Sequence, residues 1–316
     1  MVDSKISDFG SKSISKLLIK QSVPAAIGIL VMSLNILIDT IFVGHWIGSH
    51  AIAAINVVLP VSFFIAALGM SIGVGGSSII SRALGAKTIG KALKTFGNQI
   101  TLTLSLTITF IIFGLYYIDD IIPLFGGKGS IYDSAKTYYR IVLYGVPLLA
   151  LSMMGNTVIR SEGQPKYAMY AMVIPSITNL IFDIILIRYF DLGMLGAAWA
   201  TTGSYAFCFI FIAWFFLSKN SKMKIQAKHF FLKISIVTEI ASLGSITLSR
   251  QAIVSVTYLI MNNILFDFGG ETSVTAYAIV SRMLMFALFP IFGITQGFIP
   301  IAGFNYGANN YDRVKQ

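Results

Sequence analysis

The chain has 316 residues, of which 56% are hydrophobic and only 11% are charged, and its mean hydropathy is +0.79. A water-soluble protein of this length could not cover its surface with so few polar groups, so the composition indicates an all-α, polytopic membrane protein. The net charge of +10 does not indicate a nucleic-acid partner, because the basic residues are distributed by loop. The single cysteine, Cys208, lies in an apolar run, which excludes a disulfide framework and a cysteine-based metal site.

Apolar segments long enough to cross a bilayer occur eight times along the chain. The first is too long for a cleaved signal peptide and is expected to remain as a membrane helix. The predicted helices are Leu17–Val43, Ile52–Ser81, Leu93–Tyr117, Ala135–Val158, Tyr167–Tyr189, Leu195–Leu217, Ile236–Phe266 and Val274–Ala302.

The basic residues alternate between the two sides of this helix pattern. Loops such as Gly44–His50 and Asp267–Thr272 hold no Lys or Arg. Most of the 23 Lys and Arg residues fall in residues 1–20, 82–94, 160–166, 219–233 and 313–315. By the positive-inside rule, this alternation predicts a multi-pass membrane protein with its N-terminus in the cytoplasm.

Glycines indicate a helix-packing face in the second predicted helix and a flexible loop after the third. Gly69 and Gly73 are four residues apart, a spacing that lets a neighbouring helix approach closely. No strand precedes this segment and no Gly-Lys-Ser/Thr follows it, which excludes a phosphate-binding loop. The segment Asp119–Lys136 is predicted to be a flexible external connection.

An internal repeat relates the second and eighth predicted helices, which align without a gap after a shift of 222 residues. Gly75 then pairs with Gly297, and Gly85 pairs with Gly307. The repeat contains six helices, so the two copies have the same orientation and are related by a pseudo-twofold axis along the membrane normal. We therefore expect a twelve-helix protein of two six-helix lobes, of which this chain is a C-terminally incomplete fragment.

The repeat and the loops together predict four parts of the chain. Residues 1–16 form a cytoplasmic N-terminal arm, and residues 17–217 form an N-terminal lobe with six transmembrane helices. Residues 218–235 form a basic cytoplasmic linker, and residues 236–316 begin the C-terminal lobe with two transmembrane helices.

Two carboxylates lie inside predicted membrane helices, each with an asparagine four residues earlier on the same helix face. The first pair is Asn35 and Asp39, and the second is Asn179 and Asp183. A carboxylate at this depth costs about 2.5 to 3.5 kcal/mol to insert, so we favour a functional role over packing alone. Both acids lie at similar depth on helices that run in the same direction, so neighbouring helices would bring them together.

Converging carboxylates repel each other, and such a pair either holds a proton or binds a monovalent cation. Amide and hydroxyl oxygens are the neutral ligands that Na⁺ prefers. The predicted cation site is therefore Asp39, Asn179, Asp183 and Thr201, which are also the metal ligands if the coupling ion is Na⁺.

Other polar side chains in the predicted helices allow more than one interpretation. Arg250 and Arg282 could snorkel, pair with an acid or line an aqueous cavity. Glu239 is interpreted as an acid in the first turn of the seventh helix, where negative charge is favourable. Met32 and Met153 favour packing, although methionines also form adaptable surfaces for varied ligands. No catalytic triad, Cys/His pair or nucleotide-binding motif occurs, so neither an enzyme nor a cofactor is predicted.

Five stretches of the chain form a specific pattern by their order and spacing: Asp39–Gly44, Ser81–Ala86, Ile159–Pro165, Asn179–Asp183 and Gly196–Thr201. In these stretches the chain resembles the multidrug and toxic compound extrusion (MATE) family, and the resemblance covers nearly all of Leu17–Val314. The chain departs from the family in one respect: the usual Gly-Leu-Pro opening of the seventh helix reads Leu243-Gly244-Ser245, without the proline.

The resemblance implies cation-coupled antiport that exports lipophilic, mostly cationic compounds by alternating access of two lobes. Because it has an acid in helix one, Asp39, the chain resembles the DinF-like branch of the family. In that branch, a cluster of residues in the N-terminal lobe binds H⁺ or Na⁺. Asn156 would then line the same cavity, and we assign Asn35, Met32 and Met153 with it to the substrate cavity. The expected partners are small amphipathic cations and the lipid bilayer, and a monomer is expected for the complete protein.

Two rival functions stay open at this point. A lipid-linked saccharide flippase of the same fold group would need a large cationic cavity, with Arg250 and Arg282 facing inward. A non-transporting membrane scaffold or sensor would show no solute flux and would tolerate Asp39→Asn.

Overall fold

The computed structural model describes residues 2–316, apart from the side chains of residues 2–5 and of most residues between 254 and 287. Within these residues the chain is all-α, as predicted, and contains no strand. A π-helical segment, Ile184–Tyr189, follows α7 directly. The α-helices are α1 Val2–Ser11, α2 Ile14–Trp46, α3 Ser49–Gly85, α4 Ile89–Tyr116, α5 Ile118–Leu124, α6 Tyr132–Ser161, α7 Pro165–Asp183, α8 Gly193–Leu217, α9 Ile234–Gly307 and α10 Tyr311–Lys315.

Seven of the described segments are long and apolar enough to cross a membrane, which makes the chain a multi-pass membrane protein. They correspond to the first six predicted helices and the eighth. The predicted seventh helix, Ile236–Phe266, and the loop Asp267–Thr272 extend into residues whose side chains lie outside the described part. The seven segments are Ile14–Trp46, Ser49–Gly85, Ile89–Tyr116, Gly129–Ser161, Pro165–Tyr189, Gly193–Leu217 and Leu288–Gly307.

The connection between α4 and α6 is more ordered than the predicted flexible loop Asp119–Lys136. Its first part forms the short helix α5, and α6 already begins at Tyr132. The Asp119 carboxylate accepts hydrogen bonds from the Tyr132 hydroxyl and the Lys136 ammonium group. These bonds hold α5 against the start of α6, and neither partner is recognisable from the glycine content of the segment.

The two ends of α9 run in opposite directions beside α3. Near its start, Gly244 packs against Ser71 and Gly75 packs against Ile240, so this part is antiparallel to α3. Near its end, Gly303 packs against Ser81 and Gly307 against Arg82, so this part is parallel to α3. A straight helix of 74 residues would be about 110 Å long and could not return to the same neighbour. The chain therefore reverses direction within Ile234–Gly307, in agreement with two antiparallel predicted helices.

The predicted pseudo-twofold relation appears as a reciprocal contact between α3 and α9. Gly85 touches the backbone of Phe304 and Ala308, while Gly307 touches the backbone of Arg82. Under the shift of 222 residues, Phe304 is the equivalent of Arg82, so each glycine makes the other's contact. Lys87 and Asn309, also equivalent, both adopt left-handed φ angles, of 58° and 59°. The two turns therefore share backbone geometry as well as sequence.

Close packing between α3 and α6 follows the predicted small-residue face. A Cβ atom on Gly69 would lie 2.6 Å from the Ala150 carbonyl oxygen, and one on Gly73 would lie 2.9 Å from the Met154 Cα. Only glycine allows the two backbones to come this near. This contact orients α6 so that its opposite face is available to α7 and α8, which build the polar cluster described next.

Candidate cation site

The two membrane carboxylates meet between α2 and α7, which pack directly against each other. Asp183 is the last residue of α7 and has no exposed surface, whereas Asp39 on α2 is half-buried. The two carboxyl groups are neighbours and interact directly with each other. Neither Asp183 oxygen accepts a hydrogen bond from an N–H or O–H group among the described residues. The pair therefore has two buried oxygens available for a proton or a cation.

One helical turn away, two asparagines form a second bridge between the same helices. The Asn35 Nδ2 atom donates to Asn179 Oδ1 at 2.9 Å and to the Ser176 carbonyl oxygen at 3.1 Å. Because α2 and α7 are parallel, a spacing of four residues on each helix places both bridges on facing surfaces. Asn35, which we assigned to the substrate cavity, therefore belongs to the same cluster as Asn179.

Helices α6 and α8 each add one tyrosine to the cluster, and neither tyrosine was predicted from the sequence. The Thr201 Oγ1 atom lies 3.1 Å from the hydroxyl of Tyr138, and either group can donate. Tyr138 is buried and within electrostatic range of both carboxyl groups, and Tyr205 is within range of Asp39. Tyr205 follows Thr201 by one helical turn on the same face, a spacing that could have drawn attention to it. Tyr138 has no such signal, because its role depends on how α6 is rotated.

The backbone changes its helical type at the cluster. Asp183 ends the α-helical part of α7, and Ile184–Tyr189 continues as a π-helix. Gly196 at the start of α8 approaches the Leu186 carbonyl group, which also accepts the Leu192 N–H at 3.0 Å. Single π-helical turns occur mostly at functional sites, because the wider turn redirects side chains and backbone groups. The apolar sequence of this turn contains no indication of the change.

The remaining substrate-cavity residues lie elsewhere on α2 and α6. Asn156 donates to the Ala168 carbonyl oxygen at 2.6 Å and accepts from Arg160 Nε at 3.0 Å. It therefore connects α6 to α7 and orients a buried arginine. Met32 and Met153 are half-buried.

The charged residues predicted in the seventh and eighth helices all belong to α9. Arg250 is exposed, and the side chain of Arg282 lies outside the described part. Because α9 begins at Ile234, Glu239 is in the second helical turn and not in the predicted first turn. Its carboxylate pairs with Arg82 at 3.0 Å and with Lys91 at 3.3 Å, so ion pairs and not the helix N-terminus account for its position.

A third buried acid, Glu162, lies in the turn between α6 and α7, outside the membrane-spanning segments. Its carboxylate accepts hydrogen bonds from the Ser221 hydroxyl at 2.7 Å and the Lys222 N–H at 3.1 Å. Burial raises the pKa of Glu162 to about 7, although these hydrogen bonds oppose the shift. The sequence reading used Glu162 only as part of a motif, because its partners are about sixty residues away.

Ion binding at the cluster would depend on neutral oxygens as well as acids. Among the described residues, no group of three or more His, Cys, Asp or Glu side chains could hold a metal ion. The four predicted ligands, Asp39, Asn179, Asp183 and Thr201, offer two carboxylates, one amide oxygen and one hydroxyl oxygen. Such oxygen atoms can coordinate a hard monovalent cation. Alternatively, the two carboxyl groups can share a proton.

Comparisons with known families match most of the chain to a family whose members include proteins named as multidrug exporters. A family model described as MatE matches residues 24–185 and 246–316. The multidrug export protein MepA of Staphylococcus saprophyticus is 28% identical over 306 residues, which are 97% of this chain and 68% of that protein. MepA of Staphylococcus aureus strain NCTC 8325 is 27% identical over 309 residues, or 98% of this chain and 68% of the relative.

Solved structures share the same fold. One, described as the outward-facing conformation of a multidrug resistance MATE family transporter, has a TM-score of 0.91 at 30% identity and covers 98% of this chain and 68% of that one. The structure of a MATE P26A mutant has a TM-score of 0.92 at 29% identity, over 98% and 69% of the two chains. A transporter from Pyrococcus furiosus, described as having a binding pocket of reverse polarity, has a TM-score of 0.90 at 30% identity, over 98% and 68%.

Proposed function

Because the chain belongs to the MatE family, we propose that it works in a cation-coupled antiporter that exports lipophilic, mostly cationic drugs or toxic compounds. The names of the bacterial relatives support the export of multiple drugs. The observation that carries the proposal is the pairing of Asp39 with a fully buried Asp183 between two membrane helices. A fully buried Asp183 whose oxygens have no N–H or O–H partner among the described residues is a costly feature for packing alone.

The proposed mechanism uses the carboxyl pair as the coupling site. Entry of H⁺ or Na⁺ removes the repulsion between Asp39 and Asp183 and draws α2 towards α7. Release of the ion restores the repulsion, so the two states differ in how these helices pack. Rocking of two six-helix lobes would then expose the cavity to alternate sides of the membrane.

The energy available to such a cycle is adequate for export. One charge that moves through 100 mV supplies about 2.3 kcal/mol. One pH unit adds roughly 1.4 kcal/mol for each proton. When each exchange moves one net charge inwards, the two terms together support a concentration ratio of some hundreds. This suits a drug exporter in a bacterial cell membrane with the N-terminus in the cytoplasm. Asp39 on the first membrane helix also supports assignment to the DinF-like branch.

The test is ethidium efflux from vesicles that contain the full-length protein, under imposed H⁺ or Na⁺ gradients. We expect Asp183→Asn to abolish efflux driven by either gradient, while the protein still purifies as a folded species. Asp120→Asn is the matched control, because it removes the same charge from an exposed position in α5. Undiminished gradient-driven efflux from Asp183→Asn would rule out the carboxyl pair as the coupling site. Absence of flux in the wild type, with tolerance of Asp39→Asn, would instead support a non-transporting scaffold.

A further inference from the structure

The bridge between Asn35 and Asn179 has a defined direction. The Ser176 carbonyl oxygen can only accept, so the atom of Asn35 that lies 3.1 Å from it must be the amide nitrogen. The same nitrogen lies 2.9 Å from the side chain of Asn179. A nitrogen donor needs an acceptor there, so Asn179 must present its oxygen. A fixed backbone carbonyl thus determines the orientation of both amides.

This direction matters because Asn179 Oδ1 is one of the two neutral oxygens among the four proposed ligands of the cation. The other, Thr201 Oγ1, is engaged with the Tyr138 hydroxyl at 3.1 Å. Asn179 is only 7% exposed, so water cannot readily replace a hydrogen bond that is lost there. A Na⁺ ion bound between the carboxylates would have to share Asn179 Oδ1 with an N–H donor or displace that donor.

We propose that Asn35 is a specificity-determining residue that disfavours Na⁺ by holding the Asn179 side-chain oxygen. The inference rests on the proposed function, since it assumes that Asp39, Asn179, Asp183 and Thr201 form the cation site. Asn35 itself does not contact the ion. It acts through Asn179, because its amide nitrogen donates to the Asn179 oxygen that the ion would need.

The size of the effect follows from the competition between the ion and one hydrogen bond. A typical hydrogen bond inside a protein has a net strength that corresponds to about a two- to tenfold change in an equilibrium constant. Removal of the donor should therefore raise the apparent Na⁺ affinity about two- to tenfold. Loss of packing alone would lower the stability in every salt and would not favour Na⁺ over a large organic cation.

The test compares thermal unfolding of the purified protein in NaCl and in choline chloride at equal ionic strength. A ligand that binds the folded state raises the melting temperature according to its affinity. We expect Asn35→Leu, which has nearly the same size but no donor, to be stabilised at a lower Na⁺ concentration than the wild type. The control is Ser33→Ala on the same helix, because the Ser33 hydroxyl donates within α2, to the Ile29 carbonyl oxygen at 2.9 Å. Asn35→Ala is the second variant if Asn35→Leu does not fold.

The outcomes separate this inference from the proposed function. If Asp183→Asn changes the response to ions but Asn35→Leu and Asn35→Ala respond to Na⁺ as the wild type does, Asn35 does not determine specificity. A weaker Na⁺ response in the Asn35 variants would also overturn the inference, since it would mean that Asn35 supports Na⁺ binding. If Asp183→Asn leaves efflux coupled to both gradients, the proposed function itself fails.

Discussion

Buried acids in this protein differ mainly in the groups that surround them. Asp183 faces another carboxyl group, and no N–H or O–H donor among the described residues satisfies its oxygens. Glu162 is equally buried but accepts hydrogen bonds from Ser221 and Lys222. The surroundings of Asp183 leave its oxygens available for an ion. The hydrogen bonds of Glu162 instead join the turn after α6 to the linker after α8. Burial alone therefore does not distinguish a binding residue from a structural one.

At the residue scale, Glu162 should give the protein a measurable pH dependence of stability. Its pKa is raised from the ordinary 4.5 to about 7, so the folded state binds the proton more tightly than the unfolded state. The contribution of Glu162 to the free energy of unfolding should therefore be largest below about pH 4.5 and should fall by roughly 3 kcal/mol as the pH rises to 7. Glu162→Gln should lose this part of the dependence, as measured by melting temperature between pH 5 and 8.

A suitable control for this measurement is Asp312→Asn, which removes an exposed acid from α10. Its pH profile should match that of the wild type. An unchanged profile in Glu162→Gln would show that Glu162 does not retain a proton in the folded state near neutral pH.

At the scale of elements, the small residues of α3 determine which helices can approach it. The glycine face lets α6 lie against α3 at Gly69 and Gly73, and the reciprocal contact at Gly85 brings in the end of α9. Within a membrane there is little hydrophobic gain from helix association, so such close packing is a main source of stability. The path of α3 therefore organises both the lobe and its contact with the helices that follow.

Substitution at Gly69 tests this packing directly. A Cβ atom there would lie 2.6 Å from the Ala150 carbonyl oxygen and 2.8 Å from the Ala150 Cα, and neither backbone atom can move independently. Gly69→Ala should lower the free energy of unfolding by about 1–3 kcal/mol. Gly90→Ala is the matched control in α4, because nothing lies within 4 Å of its added Cβ. That control should be neutral or stabilising by up to about 1 kcal/mol, and equal melting temperatures for the two variants would contradict the packing argument.

At the scale of the whole molecule, polar contacts join the two parts of the chain at the end that carries the N-terminus. Glu239 of α9 pairs with Arg82 and Lys91. In the other direction, Arg313 donates to the carbonyl oxygens of Phe9, at 3.2 Å, and Lys12, at 2.6 Å. Lys91 and Arg313 are equivalent under the repeat. Lys91 contacts the beginning of α9, and Arg313 contacts the N-terminal residues Phe9 and Lys12, so the two contacts use equivalent cations. These contacts surround the reciprocal glycine contact on the pseudo-twofold axis.

Neutralisation of Glu239 should loosen this end of the molecule. Arg82 and Glu239 are each 31% exposed, so solvent screens the pair and its contribution should stay below about 1 kcal/mol. In a Cys208→Ala background, spin labels on Lys87→Cys and Asn309→Cys would report the separation of the two equivalent turns. We expect Glu239→Gln to broaden this distance distribution at low salt, and Asp120→Asn to leave it unchanged. High salt should produce the same broadening in the wild type, and a distribution insensitive to both changes would show that the ion pairs do not hold the turns together.

The sequence by itself determined the fold class, the positions of most membrane helices, the parallel repeat and the two membrane acids. These features are visible because bilayer thickness sets the length of apolar runs, and because a carboxylate in hydrocarbon is too costly to be common. Only the tertiary structure decided which groups meet: Asn35 with Asn179, Thr201 with Tyr138, and Glu162 with Ser221. These pairs join helices or turns that are distant in sequence, and they depend on the rotation of each helix about its axis. Rotation is set by backbone approach at glycines and by the π-helical turn after Asp183, neither of which hydropathy or residue spacing specifies.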